Sequence, residues 1–250
     1  MDIRVASVAE RPDLRAGFPD TDPWPAFMDE DETGMLYYSD PRTVHPQFCL
    51  IAYDAAEPDR AVARAYCVPF SWEGDPSRGE LPGDGWDGVI RRAAIDRQLG
   101  REPNLVSALE ITVSTTHQRA GLSALMLDEM RRRTAEAGFA DLVAPVRPSA
   151  KHLAPDESIH DYARRVRADG LPEDPWLRVH ARAGGRIVGV STHAMAITGT
   201  LAQWRGWTGL PFDASGPVLV PGALVPVHCS VEHDYAVYIE PNVWVHHRLA

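Results

Sequence analysis

Lysine is almost missing from this chain: Lys151 is the single one, and nearly every other cation is arginine. Acidic side chains outnumber basic ones 35 to 25, a net charge of −10. Phosphate backbones are held by clustered Lys and Arg, so nucleic acid is not the expected main partner. Cysteine is scarce too. Cys49, Cys67 and Cys229 lie far apart and form no CxxC pair, which speaks against a disulfide framework and for a reducing cytoplasm. Nowhere do ~18 apolar residues run together, and the opening MDIRVASVAERPDLRAGF has no signal-peptide core. A cytoplasmic protein with no membrane partner is expected. No HExxH, GxSxG, P-loop or GxGxxG motif occurs. The adjacent His246 and His247 would point to opposite faces of a strand, so no metal is expected. Internal repeats and low-complexity segments are also absent.

At 250 residues the chain can bury a substantial core, as one large domain or two small ones. In order, residues 3–8 alternate as a first strand. A short helix over 9–17 follows, then a second with Trp24, Phe27 and Met28 on one side. The acidic run Asp29–Glu32 could draw in a cationic substrate, but a solvated loop or helix face is the simpler reading. Residues 48–54 and 61–70 form a hairpin. Residues 71–84 are loop, and 85–100 can be helical, as a surface insertion. Residues 104–113 form a strand apolar on both faces, hence central. A helix follows with Leu122, Leu125, Met126 and Met130 in one stripe and Gly138 as its stop. Residues 141–146 complete a βαβ unit, whose two strands should be parallel. The long segment 147–174 carries one helix near 156–167, and 175–184 carries another. Strands at 186–204 (one, or two broken near Gly199), 216–231, 235–239 and 243–249 close the chain.

The turn between strand 104–113 and its helix is the chemical feature. A helix start offers unsatisfied N–H donors and the positive end of its dipole. Gly121 permits a backbone conformation or a close approach that a Cβ would obstruct. The N–H groups of residues 118–124 are thereby available to an anion, and Arg119 could add an ion contact.

The run VSTTHQRAGLSAL (113–125) resembles the coenzyme A pyrophosphate loop of the GNAT (Gcn5-related N-acetyltransferase) superfamily, Gln/Arg-x-x-Gly-x-Gly/Ala. Gln118, Arg119, Ala120, Gly121, Leu122 and Ser123 meet it, with Ser123 in place of the final Gly or Ala. RVHARAGGRIVGV (178–190) resembles the family's penultimate helix and following strand. His180 stands where many members carry a general-acid Tyr, and Gly185 replaces an aromatic. The resemblance implies one α/β domain over 1–250, with insertions at about 71–104 and 147–174. Its sheet would be mixed and largely antiparallel, splayed at one parallel βαβ crossover, with helices on both faces. It implies acetyl-CoA as co-substrate, held by Gln118, Arg119, Ala120, Gly121, Leu122, Ser123 and Ala124. The backbone near Ile111 and Val113 would pair with the pantetheine, an N–H there polarising the thioester.

An N-acyltransferase acting on a small-molecule amine by direct attack is therefore expected. Glu110, on an otherwise apolar strand, is the base candidate, its other reading being an outward Glu paired with an Arg such as Arg91 or Arg131. His180 is the acid candidate, or else a half-buried helix residue. His117 could touch a phosphate, and Asp156, Glu157 and His160 an acceptor, though solvation suffices for all four. The apolar C-terminal strands could pair two copies into a homodimer. Two alternatives stay open: a non-enzymatic acyl-CoA or metabolite-binding protein, and an O-acyltransferase or decarboxylase on the same scaffold.

Overall fold

The computed structural model describes residues 2–16, 24–38 and 43–249. Its strands join one nine-stranded sheet. They are β1 (Ile3–Ser7), β2 (Cys49–Asp54), β3 (Ala61–Phe70), β4 (Leu105–Val113), β5 (Asp141–Val146), β6 (Arg186–Gly199), β7 (Gly216–Val218), β8 (Val227–Ser230) and β9 (Tyr235–Arg248). The order is β1-β2-β3-β4-β5-β9-β8-β7, with β6 on the other side of β9. Among the described residues only the β4–β5 pair is parallel. The helix that crosses between them, α3 (Leu122–Glu136), was legible as an amphipathic stripe.

Each face of the sheet has its own cover. On one face, Leu122, Met126 and Met130 of α3 pack on Leu50, Ala65, Cys67, Val106 and Ala108. Burying such a side chain stabilises the fold by about 1.5–3 kcal/mol. Leu125, expected in the same stripe, is 40% exposed. On the other face, α2 (Gly85–Leu99) sets Val89, Ile90 and Ala93 against Val68, Phe70, Leu105 and Trp244. The segment expected as a surface insertion is thus part of the core. The short α1 (Glu32–Tyr37) lies beside α2. A second core gathers Phe27, Trp204, Phe212 and Tyr238.

Several expected elements changed. Pro12–Ala16 and Ala26–Glu30 are single turns of 3-10 helix where two short α-helices were expected, and residues 17–23 lie outside the described residues. The helix at 156–167 shrinks to α4 (Ile159–Ala163), while α5 (Pro175–Arg182) begins at its proline as expected. The strand read over 186–204 ends at Gly199. A further helix follows, α6 (Leu201–Thr208), started by a capping box in which Thr200 and Gln203 satisfy each other's backbone N–H. Residues 219–226 leave the sheet because Pro221, Gly222 and Pro226 interrupt the ladder.

The two C-terminal strands are one, β9, running through Pro241. β9 pairs with β5 from Val243 to Arg248 and with β8 only from Tyr235 to Val237. On its other side, β6 bulges between Ser191 and Met195, leaving the ladder open opposite Pro241. A residue without an N–H fits that gap. Val243 to His247 are all buried, between β5 on one side and β6 on the other. Among the described residues, no helix is long and apolar enough to cross a membrane.

Candidate active site

β4 and β5 stay together for only two rungs, Val106–Leu142 and Ser107–Val143. Beyond them β4 continues beside β3 as far as Val113, and β5 beside β9 as far as Val146. The strands therefore part toward their C-terminal ends, and β4 presents an edge from Ala108 onward. A bulge sits where the parting begins. Tyr66 faces Glu110 and Cys67 faces Ala108, so Leu109 is one residue too many. The Leu109 carbonyl accepts a hydrogen bond from Trp86 Nε1 of α2, at 3.0 Å.

The bulge also sets which way the next side chains point. Ile111 and Val113 pack into the core under α3, so Glu110 and Thr112 project to the opposite face, where α2 lies. Glu110 is buried. Its Oε1 accepts from Arg64 Nε at 2.5 Å and from Thr112 Oγ1. The outward Glu paired with Arg91 or Arg131 is thus replaced by an inward one paired with Arg64. Arg64 is the lone charge in β3 as Glu110 is in β4, and two solitary charges on neighbouring apolar strands were the available signal. A buried carboxylate needs such a partner, since an unpaired one costs several kcal/mol.

After Val113 the chain makes a 3-10 turn over Thr115–His117, then climbs into α3 through Gln118–Gly121. Gly121 is the residue preceding α3, with φ +79°, and nothing lies within 4 Å of where its Cβ would be. It is needed for its backbone conformation, and it leaves open space above the helix. No side chain caps α3. The amides of Leu122, Ser123 and Ala124 therefore face that space with the dipole behind them. Gln118, Arg119 and Ala120 are exposed beside it. Arg119 takes φ +66° and has no ion pair among the described residues. These residues fit a pyrophosphate: donors converge, a cation stands by, and no atom fills the space. His117 Nδ1 meets Thr116 Oγ1 at 2.8 Å.

His180 lies elsewhere. Its Nδ1 contacts His247 Nε2 at 3.0 Å. His247 faces Leu142 on β5, which faces Val106 on β4, so the pair rests against the closed end of the splay. Glu110 is four residues further along β4, roughly 13 Å, and on the other face. The structure does not bring Glu110 and His180 together. Burial, then the neighbouring His247, lowers the His180 pKa to about 3. His247 is lowered to about 4, chiefly by burial and then by Arg131. Both imidazoles are neutral at pH 7. The pair also explains Gly185, because a Cβ there would come within 2.6 Å of the His247 ring.

The α2 face of the splay carries further polar groups that sequence reasoning missed. Arg147, just past β5, donates Nε to Glu240 Oε2 at 2.9 Å and Nη2 to the Gly222 carbonyl. Glu240 also accepts from Tyr238 and Asn242. Asp31, expected on a solvated face, is 3% exposed, and Asp87 is 5% exposed. Lys151, the sole lysine, is buried with its ammonium on the carbonyls of Ala154 and Leu224, a structural clamp. Glu157 pairs with Arg165, and Asp156 and His160 are exposed. Among the described residues no group of three or more His, Cys, Asp or Glu could hold a metal.

No family model matches the chain. An arginine N-acetyltransferase of Aspergillus versicolor, avaD, is 30% identical over 97% of this chain and 93% of its own length. Two solved structures share the fold at 17% identity. The loading GNATL domain of CurA from Lyngbya majuscula superposes with a TM-score of 0.55, covering 99% of this chain and 97% of that one. The GphF GNAT-like decarboxylase, solved with isobutyryl-CoA, gives 0.57 with both chains fully covered.

Proposed function

Because the chain belongs to the GNAT superfamily and is an acyl-CoA-dependent N-acyltransferase, we propose that it moves an acetyl group from acetyl-CoA to the amine of a small molecule. Arginine is the first acceptor to try, since the relative that matches most of its length carries that activity. The observation that carries the reading is the free edge of β4, from Ala108 to Val113, leading into the uncapped start of α3 at Gly121.

In this reading the pyrophosphate rests on the amides of Leu122, Ser123 and Ala124, with Gln118, Arg119 and Ala120 alongside. The pantetheine arm lies along the edge at Ile111 and Val113, where a backbone N–H polarises the thioester carbonyl. The acceptor arrives as an ammonium and must lose a proton before it attacks. Glu110 takes that proton, and Arg64 and Thr112 hold its carboxylate in place. The amine nitrogen then bonds to the carbonyl carbon, the C–S bond breaks, the nitrogen gives up its second proton to solvent, the leaving thiolate takes one up, and Glu110 returns its own proton to solvent. His180 has no step here: it is neutral, on the other face, and at the closed end. The setting is cytoplasmic, in keeping with three free, buried thiols.

Thiol release from acetyl-CoA over a panel of amines tests this. Glu110→Gln should lower kcat by about 10²–10⁴-fold while leaving the thermal shift with coenzyme A intact. Tight coenzyme A binding without turnover on any amine would refute the catalytic reading. No thermal shift at millimolar coenzyme A would refute the cradle, because binding must stabilise the fold.

A further inference from the structure

Two buried aspartates stand on the same face as Glu110 with no ion-pair partner among the described residues. Asp31 precedes α1 and accepts from Gly34 N through Oδ2 at 2.5 Å. Asp87 lies in the first turn of α2 and accepts from Ala196 N through Oδ2 at 3.3 Å. The second oxygen of each, Oδ1, is sealed from solvent and has no donor among the described residues. The cations at hand are engaged: Arg91 and Arg92 both bind Asp84, at 3.0 and 2.9 Å. Burial raises both pKa values. Asp87 is pushed up to about 8, with the charge on Asp31 the next cause and Arg91 and Asp84 acting more weakly.

From this geometry we infer that Asp31 and Asp87 receive the guanidinium of the acceptor, an inference that rests on the N-acyltransferase reading. A guanidinium offers five donors in one plane and satisfies two carboxylates at once. Aromatic rings, the surface an aliphatic stem packs on, run from the pair toward Glu110. Asp31 and Trp86 meet at Gly34, where a Cβ would come within 2.9 Å of Asp31 Oδ2 and 3.6 Å of the Trp86 ring. Trp86 binds the Leu109 carbonyl, next to Glu110. The Tyr38 ring meets Trp86 at 5.4 Å and Tyr66 at 6.0 Å, and Tyr66 faces Glu110 across the ladder. α1 closes the pair from solvent but is lightly held: none of its residues is buried, and Met35 and Leu36 are 60% and 68% exposed. Without a guanidinium, a proton on Asp87 leaves the pair with a single negative charge, and binding the cation expels that proton.

Calorimetry on the wild-type protein with coenzyme A, in buffers of different ionisation heat at pH 7, tests this. Arginine should bind with release of close to one proton. Citrulline, the same skeleton with a neutral ureido end, should bind at least about 100-fold more weakly. In turnover, Asp87→Asn and Asp31→Asn should cut the arginine-over-citrulline ratio of kcat/KM by at least about tenfold. The inference is overturned if arginine does not bind, binds without proton release, or binds no better than citrulline. It also falls if the variants lose both substrates equally. Should the variants not fold, the wild-type calorimetry decides. Absence of thiol release with every amine would instead sink the N-acyltransferase reading, whereas turnover indifferent to the guanidinium sinks only this pair.

Discussion

The buried imidazole pair gives the sharpest quantitative test of which groups serve chemistry and which serve the fold. With pKa values of about 3 and 4, His180 and His247 stay neutral in the folded protein down to acid pH, while in the unfolded chain each titrates near 6.5. A histidine whose folded pKa is lowered stabilises the fold above its unfolded pKa. That stability is lost as pH falls from about 6.5 toward 3. Between pH 7 and pH 5 the unfolded state gains about 2 kcal/mol per imidazole. Asp87 works against this. Its folded pKa, about 8, is raised, so its contribution is full below pH 4 and lost as pH climbs to 8. Over the same two units it returns about 3 kcal/mol on acidification. From these three groups together wild type should therefore lose only about 1 kcal/mol between pH 7 and 5, from about 4 lost and 3 regained. His180→Gln keeps one imidazole and should gain about 1 kcal/mol, whereas Asp87→Asn should lose about 4. Urea melts at both pH values read these differences. For wild type against His180→Gln the change is about 2 kcal/mol, or roughly 4–8 °C in Tm. Parallel pH curves for those two proteins would refute the reasoning and restore a charged His180 as a candidate acid. The same variant should keep its turnover within a few-fold at pH 7.

Gly121→Ala should cost about 1 kcal/mol in urea melts, because a Cβ there meets no atom and only the φ of +79° is strained. It should also shrink the thermal shift with coenzyme A. Thr200→Ala removes the capping box of α6 and should cost about 1 kcal/mol, read as a lower urea midpoint at unchanged slope. Burial pushes the Cys67 thiol well above its ordinary pKa, and Cys49 and Cys229 are buried as well. A thiol reagent should therefore label none of the three in the native protein and all three after unfolding.

What the sequence made legible follows the range of each interaction. β3 and β5 were readable to the residue, because an apolar run and its bounding turn are local. The cradle was readable for the same reason: Gly121, the strand before it and the helix after it are contiguous. α6 was missed because its apolar residues continue the strand-like run of β6; Gly199 marked the break, and Thr200 with Gln203 marked a helix start beyond it. The Glu110–Arg64 pair depends on a register that a single bulge at Leu109 decides. Asp31 and Asp87 come from separate segments with nothing in either to announce the other. His180 illustrates the opposite case: its position in a motif was visible, but its place at the closed end of the splay depends on how β9 seats against β5.

Pro241 has a consequence for fidelity. The ring without an N–H sits at a rung of β9 where β6 bulges away and neither β5 nor β8 pairs. Sliding β9 by two residues would preserve the alternation of its faces, so hydrophobic pattern alone would not forbid it. The proline does, by bringing its ring opposite a strand that expects a donor. It thus acts as an index mark on the strand that joins both halves of the sheet. Because Glu240 and Asn242 flank it, the same mark sets where Arg147 finds its carboxylate and keeps one polar wall of the splay in register with the other.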